Sequence, residues 1–221
     1  MLKKLIYKSL SKRNQYLVDF DIMRFKARHF GNHPKKITSR KLHFGCGRRK
    51  VDGWLNVDIM NSDFDMDFGV GVLPLKTGTF DSIVSQEVIE HLELTDELIP
   101  LLKEMWRILD KDGQAWLSCP DMKKVCSNYM KDKGAGLIED RLNRIPDFSL
   151  GTMPSQHIIN HLFHQDGEHK NLYDFELLEW ALKKAGFSSV EEVDESRLRK
   201  RFSEFPERND GFVCMYVMAK K

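Results

Sequence analysis

The chain has 221 residues, of which 41% are hydrophobic and 31% charged, and its formal net charge is +2 at pH 7. That length suits one α/β domain that buries roughly 70% of its unfolded surface. The sequence has no apolar run near the ~20 residues of a transmembrane helix, no secretory signal pattern and four cysteines without CxxC spacing, so we expect a cytoplasmic protein with reduced thiols.

The N-terminal segment is strongly basic. Residues 1–41 contain twelve Lys and Arg against two Asp, a net charge of +10, which leaves −8 for the rest of the chain. Leu2, Ile6 and Leu10 recur at helical spacing, and further apolar residues follow up to Phe25. We therefore predict a basic helical arm over residues 1–38, attached to an acidic domain over residues 39–221.

Short apolar segments and helical segments alternate after the arm, which is typical of a parallel sheet. The predicted strands are Lys41–Phe44, Trp54–Asp58, Phe64–Asp67, Phe80–Ser85, Gln114–Cys119, Val190–Val193 and Phe212–Ala219, and the predicted helices are Gln86–Leu92, Leu98–Leu109 and Asp174–Ala185. The last two strands are adjacent and can close the sheet as an antiparallel pair. Residues 120–168 have no clear period and predict an irregular insertion over the carboxyl edge of the sheet. Trp106, Trp116 and Trp180 lie in apolar patterns and are predicted to be buried.

A glycine turn and a carboxylate follow the first two predicted strands. The sequence LHFGCG ends at Gly47, and two glycines one residue apart allow a tight turn that brings backbone N–H groups close to a ligand. The second strand ends in Asp58, and a carboxylate in that place can accept hydrogen bonds from both hydroxyls of a ribose. Asp67 and Phe68 follow a third short strand, which would place a side chain near an adenine edge.

These segments, together with FDSIVSQEVIEHL over Phe80–Leu92, resemble the class I S-adenosylmethionine-dependent methyltransferases, in particular the type 11 group. The resemblance covers about Lys41 to Pro120, and more loosely the segment from His169 to Phe187. It implies a Rossmann-like three-layer sandwich with a mostly parallel seven-stranded sheet, and S-adenosyl-L-methionine as the cofactor. The residues implied in cofactor binding are Phe44, Gly45, Cys46, Gly47, Asp58, Ile59, Asp67, Phe68, Gln86, Glu87 and His91.

The glycine turn departs from related patterns. Arg48 to Lys50 stand where a third glycine and a helix are usual, and so few residues separate the first two strands that a helix between them can have at most a turn or two. Asp58 follows Gly45 by thirteen positions, whereas a dinucleotide fingerprint needs about 20. The chain also lacks GxxxxGK[ST], which excludes a P-loop nucleotide hydrolase.

Histidines supply the candidates for catalysis. His169 precedes the last predicted helix and is a candidate general base for an acceptor hydroxyl, although a histidine at a helix entry needs no such role. His157, His161 and His164 share a helical face, but no Cys or carboxylate completes a zinc set, so we predict no metal site and a polar wall of the acceptor pocket.

The resemblance implies methyl transfer to oxygen of a small molecule or saccharide. Two alternatives remain: an RNA or protein methyltransferase that uses cations of the arm such as Lys3, Lys4, Lys8, Lys12 and Arg13, and a cofactor-binding subunit without activity. The arm lacks the aromatic and glycine-rich texture of single-strand RNA readers, so nucleic acid is not the favoured partner. It could instead contact a membrane surface, an anionic acceptor or the acidic body of its own chain.

Overall fold

The computed structural model describes residues 7–221 apart from the side chain of Asp166, and statements about residues 7–221 leave out that side chain. A seven-stranded sheet forms the centre of this part of the chain. The strands are β1 (Lys41–Phe44), β2 (Leu55–Asp58), β3 (Phe64–Asp65), β4 (Phe80–Gln86), β5 (Leu109–Pro120), β6 (Ser189–Val193) and β7 (Cys214–Lys220). Their order across the sheet is β3-β2-β1-β4-β5-β7-β6. Strands β1 to β5 are parallel, and β7 runs antiparallel between β5 and β6. The predicted sheet and its antiparallel closing pair are therefore confirmed.

Helices cover both faces of the sheet. Within residues 7–221 they are α1 (Lys12–Phe30), α2 (Ile99–Ile108), α3 (Met122–Asp132), α4 (Ala135–Arg144), α5 (His157–His164), α6 (Phe175–Ala185) and α7 (Glu195–Arg201). Neighbouring residues of a strand point to opposite faces. Ile83 of β4 accordingly packs in one core cluster with Leu102 of α2 and Leu182 of α6, whereas Val84 packs in a second cluster with Val125 of α3 and Leu137 of α4. The two clusters lie on opposite faces of the sheet, so that helices, sheet and helices form the three predicted layers.

The main helix of the arm is α1, and residues 31–38 after it are not helical. Ser11 caps the first turn of α1, and its hydroxyl accepts a hydrogen bond from the Asn14 amide. After α1, the backbone of Asn32 accepts a hydrogen bond from the Asp65 amide at 2.9 Å, and its own amide donates to the Asp65 carboxylate at 3.0 Å. These contacts fix the end of the arm beside β3. The predicted contributions of Leu2, Ile6, Lys3 and Lys4 lie outside the described residues.

Two predicted segments are wrong in type. The predicted helix Gln86–Leu92 is the end of β4 followed by a single 3-10 turn, Ile89–His91, because Glu87 has a left-handed backbone with φ of 58° that turns the chain sharply. The predicted irregular insertion over residues 120–168 contains α3, α4 and α5. Asp121 caps the start of α3 by accepting hydrogen bonds from the amides of Lys123 and Lys124. The sequence prediction relied on the spacing of apolar residues, which does not register such a polar cap.

The tryptophan predictions are correct for one residue of three. Trp116 of β5 is buried, whereas Trp106 and Trp180 are 36% and 48% exposed. The two exposed indoles lie on α2 and α6 and are partly covered by the ammonium groups of Lys221 and Lys184, at 4.3 and 4.7 Å from the ring centres. Among residues 7–221, no helix has both the length and the apolar character that crossing a bilayer requires.

Candidate functional site

A cavity of about 280 Å³ lies at the carboxyl edge of the parallel strands, beneath α1. Its walls come from the turns that follow β1, β2 and β4, from the segment after β3 and from α1. In open α/β sheets, ligands bind in the crevice outside the carboxyl ends of the strands. The segments that sequence reasoning singled out therefore converge on one hollow.

The turn after β1 must be glycine at its first position. Gly45 has φ of 72°, and a Cβ on it would lie 2.1 Å from Cγ2 of Val88. The amides of Gly45 and Cys46 donate to the Val57 carbonyl at 2.8 and 3.1 Å, which ties the turn to β2. Gly45 and Gly47 line the cavity, whereas the side chains of Phe44 and Cys46 are buried in the protein. Burial, followed by the Asp58 charge, raises the pKa of Cys46 to about 12, so its thiol stays protonated.

Asp58 joins the second strand to the glycine turn. Its Oδ2 accepts a hydrogen bond from the Gly47 amide at 2.7 Å, and its Oδ1 accepts one from the Ile59 amide at 2.6 Å. Asp58 and Ile59 both line the cavity. Each carboxylate oxygen has two acceptor sites, so Asp58 can accept further hydrogen bonds from a ligand.

Asp67 and Phe68 form the next part of the wall, and Asp67 already has a cationic partner. Both of its carboxylate oxygens lie 3.0 Å from Nε of Arg24, and the Gly69 amide donates to Oδ1 at 2.9 Å. The carboxylate is 3% exposed, so this ion pair is largely removed from water. The Phe68 ring lines the cavity and packs against Phe44, with ring centres 4.2 Å apart.

The arm closes the cavity from above. Phe20 and Arg24, one helical turn apart on α1, both line it, and Nη1 of Arg24 donates to Glu97 at 3.0 Å. Nε of Arg28 lies 3.5 Å from Asp67. Sequence reasoning did not identify Phe20, Arg24 or Glu97 as site residues. The signal that pointed to them was the charge asymmetry, because docking of the basic arm on its own acidic body was one of the alternatives.

The turn after β4 contributes Glu87 and His91. Both line the cavity, whereas Gln86, the last residue of β4, is buried behind it. Glu87 accepts a hydrogen bond from Sγ of Cys214 at 3.3 Å. Burial, followed by the charge of Asp210, raises the pKa of Glu87. This part of the wall thus carries a carboxyl group whose ionisation is disfavoured.

The segment before α6 brings His169 against the β4 turn. The amide of Lys170 donates to the Glu90 carbonyl at 2.8 Å, and the imidazole of His169 meets that of His91 edge to face, with centres 4.8 Å apart. His169 lies behind His91 rather than on the cavity wall. Burial, followed by the neighbouring His91, lowers the pKa of His169 to about 4, so its ring is neutral at neutral pH.

The three histidines of the predicted helical face do lie on α5, with His164 exposed. Among residues 7–221, the groups of His, Cys, Asp and Glu that converge closely enough to hold a metal ion do not include them. Their role as a polar wall of an acceptor pocket stays a prediction.

Comparison with known proteins agrees with this architecture. Residues 46–117 match the family model described as "Methyltransferase domain". No curated protein sequence matches the chain. An S-adenosylmethionine-dependent methyltransferase from Archaeoglobus fulgidus has a similar structure, with 16% identity and a TM-score of 0.50 over 90% of this chain and 93% of that protein.

Two further structures are more distant. An S-adenosylmethionine-dependent methyltransferase from Thermotoga maritima has 17% identity and a TM-score of 0.48 over 94% of this chain and 97% of that one. For a candidate O-methyltransferase from Nostoc punctiforme the identity is 12% and the TM-score 0.37, and the match covers 64% of this chain and 32% of the Nostoc chain, about a third of its length. At such identities, structural likeness concerns the fold alone. The matched domain over residues 46–117, the strand order and the cavity at the carboxyl edge together show that the chain contains a methyltransferase domain with the class I fold.

Proposed function

We propose that the chain methylates an oxygen atom of a small-molecule or saccharide acceptor, and that the cavity beneath α1 holds S-adenosylmethionine. One observation supports the cofactor position above all others: the Gly47 amide and the Asp58 carboxylate are hydrogen-bonded to each other and face the same hollow. A glycine turn that brings backbone amides close to a ligand and a strand-end carboxylate that accepts from ribose hydroxyls suit an adenosyl amino acid.

The residues of the cavity fit the parts of this cofactor. In our proposal, the remaining acceptor sites of Asp58 receive the ribose hydroxyls, and the glycine turn lies against the methionine part, where a Cβ on Gly45 would already collide with Val88. Phe68 supplies an aromatic surface for the adenine ring. The resemblance implies that Asp67 contacts the adenine. Because both of its carboxylate oxygens accept hydrogen bonds from Arg24, we assign it a second role, which is to hold α1 over the cavity.

When bound, the cofactor supplies a methyl group on a sulfonium, and the electron pair of the breaking C–S bond stays on sulfur. The chain therefore has to bring the acceptor oxygen in line with that bond and let its proton leave as the new C–O bond forms. His169 is the expected general base, but a pKa of about 4 makes it a weak one. Positioning thus carries more of the catalytic task than proton removal does.

The side of the site near Glu87 favours an acceptor with negative charge. Nε of Arg141 on α4 is buried and has no hydrogen-bond partner among residues 7–221, and its guanidinium lies 5.9 Å from the centre of the Phe148 ring. Arg144 and Arg208 lie near the same side but are already paired, with Asp140 and Asp210 respectively. Arg141 is therefore the cation that an anionic group of the acceptor would meet.

We also propose a cytoplasmic location for the chain. Its four cysteines are free thiols, as is usual for proteins of a reducing compartment.

Calorimetric titration with S-adenosylmethionine or S-adenosylhomocysteine tests the cofactor site. Asp58→Ala should weaken binding by about 1–3 kcal/mol, roughly 5- to 150-fold, because it removes the acceptors of two ligand hydroxyls. Asp112→Ala is the matched control, since that carboxylate is exposed and distant from the cavity. Equal affinity of both variants would remove Asp58 from the site.

The acceptor class is tested by release of S-adenosylhomocysteine with panels of hydroxylated compounds, neutral and anionic. Turnover with an anionic saccharide or small molecule is the expected result. Salt-sensitive RNA binding through Lys8, Lys12 and Arg13, with turnover on RNA, would favour the alternative instead. Cofactor binding without turnover on any acceptor would indicate a non-catalytic subunit.

A further inference from the structure

Three potential metal ligands converge where His169 meets the β4 turn. One carboxylate oxygen of Glu90 and one ring nitrogen each of His91 and His169 all lie within 4.8 Å of one another. Two imidazoles and a carboxylate are a donor set that first-row transition metals bind readily. His91 also lines the cavity, so the cluster borders the proposed cofactor site.

Glu90 is the most unusual member of this cluster. Its side chain belongs to a residue that is 1% exposed, and neither carboxyl oxygen has a hydrogen-bond partner among the described residues. A buried carboxyl group without a partner is unfavourable, and such groups in native proteins are normally paired or coordinate a metal ion. No cationic side chain forms an ion pair with it within residues 7–221. The Glu90 carboxylate therefore has no cationic partner among these residues, and a bound metal ion would supply one.

The two histidines are held in the form that binds a metal ion. Nδ1 of His91 lies 3.2 Å from the Glu168 carbonyl, and Nδ1 of His169 lies 3.0 Å from the Leu162 carbonyl. A carbonyl can only accept, so each Nδ1 carries the hydrogen and each neutral ring keeps a lone pair on Nε2. Metal-binding histidines almost always donate their other ring N–H in this way.

A second group, formed by Glu87, Asp210 and Cys214, is also compact enough for an ion. Its members already have partners, however. Cys214 donates to Glu87, and Asp210 accepts from Arg208 and Tyr216, each at 2.6 Å. Of the two groups found within the described part of the chain, the one with Glu90 combines convergence with buried ligand atoms that have no hydrogen-bond partner.

We infer that Glu90, His91 and His169 bind one divalent first-row transition metal ion of the zinc class. With Zn–N and Zn–O distances of about 2.0–2.2 Å, tetrahedral ligand atoms lie about 3.3–3.6 Å apart, so atoms that are now up to 4.8 Å apart would have to approach by as much as ~1.5 Å. Three protein ligands leave a fourth position open, and His91, which lines the cavity, places the cluster beside the proposed acceptor site. In combination with the proposed function, an acceptor hydroxyl at that position would have a lower pKa, because a bound cation stabilises the deprotonated oxygen, and would give its proton to water. With its Nε2 on the metal and its Nδ1–H donated to the Leu162 carbonyl, His169 would then be a ligand and not the general base. From the sequence we predicted no metal site, because no Cys or carboxylate completes a zinc set with His157, His161 and His164.

Zinc chloride titration of the chelator-stripped protein, followed by calorimetry, tests the inference. The wild-type chain should bind one zinc ion. Glu90→Gln and His169→Asn should each weaken binding at least tenfold, because each removes one ligand. His164→Asn is the matched control, since it removes an exposed histidine outside the cluster and should bind as the wild type does.

Thermal unfolding keeps the test decisive if one variant is poorly folded. Zinc should raise the Tm of the wild type and of His164→Asn by mass action, but not that of His169→Asn or Glu90→Gln. Absence of stoichiometric zinc binding by the wild type, or equal affinity of all four proteins, would overturn the inference. Asp58→Ala should lose cofactor affinity and keep its zinc. A failure of the metal site is therefore distinguishable from a failure of the proposed function.

Discussion

The ion pairs of Arg24 predict that one substitution will loosen the arm. Arg24 is held at 3.0 Å by both oxygens of Asp67 and at 3.0 Å by Glu97. In Arg24→Ala, the Asp67 carboxylate, which is 3% exposed, keeps only the Gly69 amide and the more distant Arg28. Breaking a fully buried pair costs about 3–5 kcal/mol. Because Arg24 itself is 22% exposed and Arg28 remains, we expect a loss of about 2 kcal/mol.

Urea unfolding of the wild type, Arg24→Ala and Arg24→Lys measures this loss. Lysine restores the charge but not the fork that reaches Asp67 and Glu97 together, so it should recover only part of the stability. Arg13→Ala is the matched control on the same helix, where an exposed cation should contribute less than about 0.5 kcal/mol. Hydrogen exchange should show the greatest change in α1. Unfolding free energies of Arg24→Ala and Arg13→Ala that agree within 0.5 kcal/mol would refute the reasoning.

Two further predictions concern the glycine turn and a buried histidine. Gly45→Ala should lower the free energy of unfolding in urea by about 2–4 kcal/mol, because its Cβ would collide with Val88 at a positive φ. Gly211→Ala is the control, since a Cβ there meets open space and should change the stability little. Similar losses of stability in both variants would contradict this reasoning. Burial lowers the pKa of His43 to about 4, so its neutral form contributes stability that is complete above pH 6.5 and is lost as pH falls towards 4, by about 3 kcal/mol. In His43→Gln the unfolding free energy should fall less steeply over that pH window, and parallel curves for the two proteins would count against His43 as the cause.

The sheet and the glycine turn could be predicted because their signals are local. A strand such as β4 is a short apolar run between turn residues. Gly45 directly follows a predicted strand and Asp58 ends one, so locating the strands also locates these two residues. The turn after β4 was predicted as a helix because Val88, Ile89 and Leu92 have helical spacing. Glu87 overrides that spacing with its left-handed backbone, which no local pattern of apolar residues indicates.

The parts of the site that sequence reasoning missed depend on contacts between distant segments. Arg24 and Asp67 are far apart in the chain, and only the net charges of arm and body suggested that they meet. His169 was singled out for its place before α6, yet its contact with His91 depends on how residues 168–171 pair with the β4 turn. Exposure of Trp106 and Trp180 likewise depends on which stripe of each helix the sheet covers.

The hydrogen bonds of Asp58 have a consequence for ligand affinity. Both carboxylate oxygens are fixed by backbone amides, from Gly47 on one side and Ile59 on the other. The side chain therefore loses its rotational freedom when the chain folds and not when a nucleoside arrives. A group that is preorganised in this way adds the favourable energy of its contacts with little entropic penalty on association. The empty and loaded proteins should therefore share the same Asp58 rotamer, and the ribose binding that we propose for this carboxylate would need little rearrangement of the side chain.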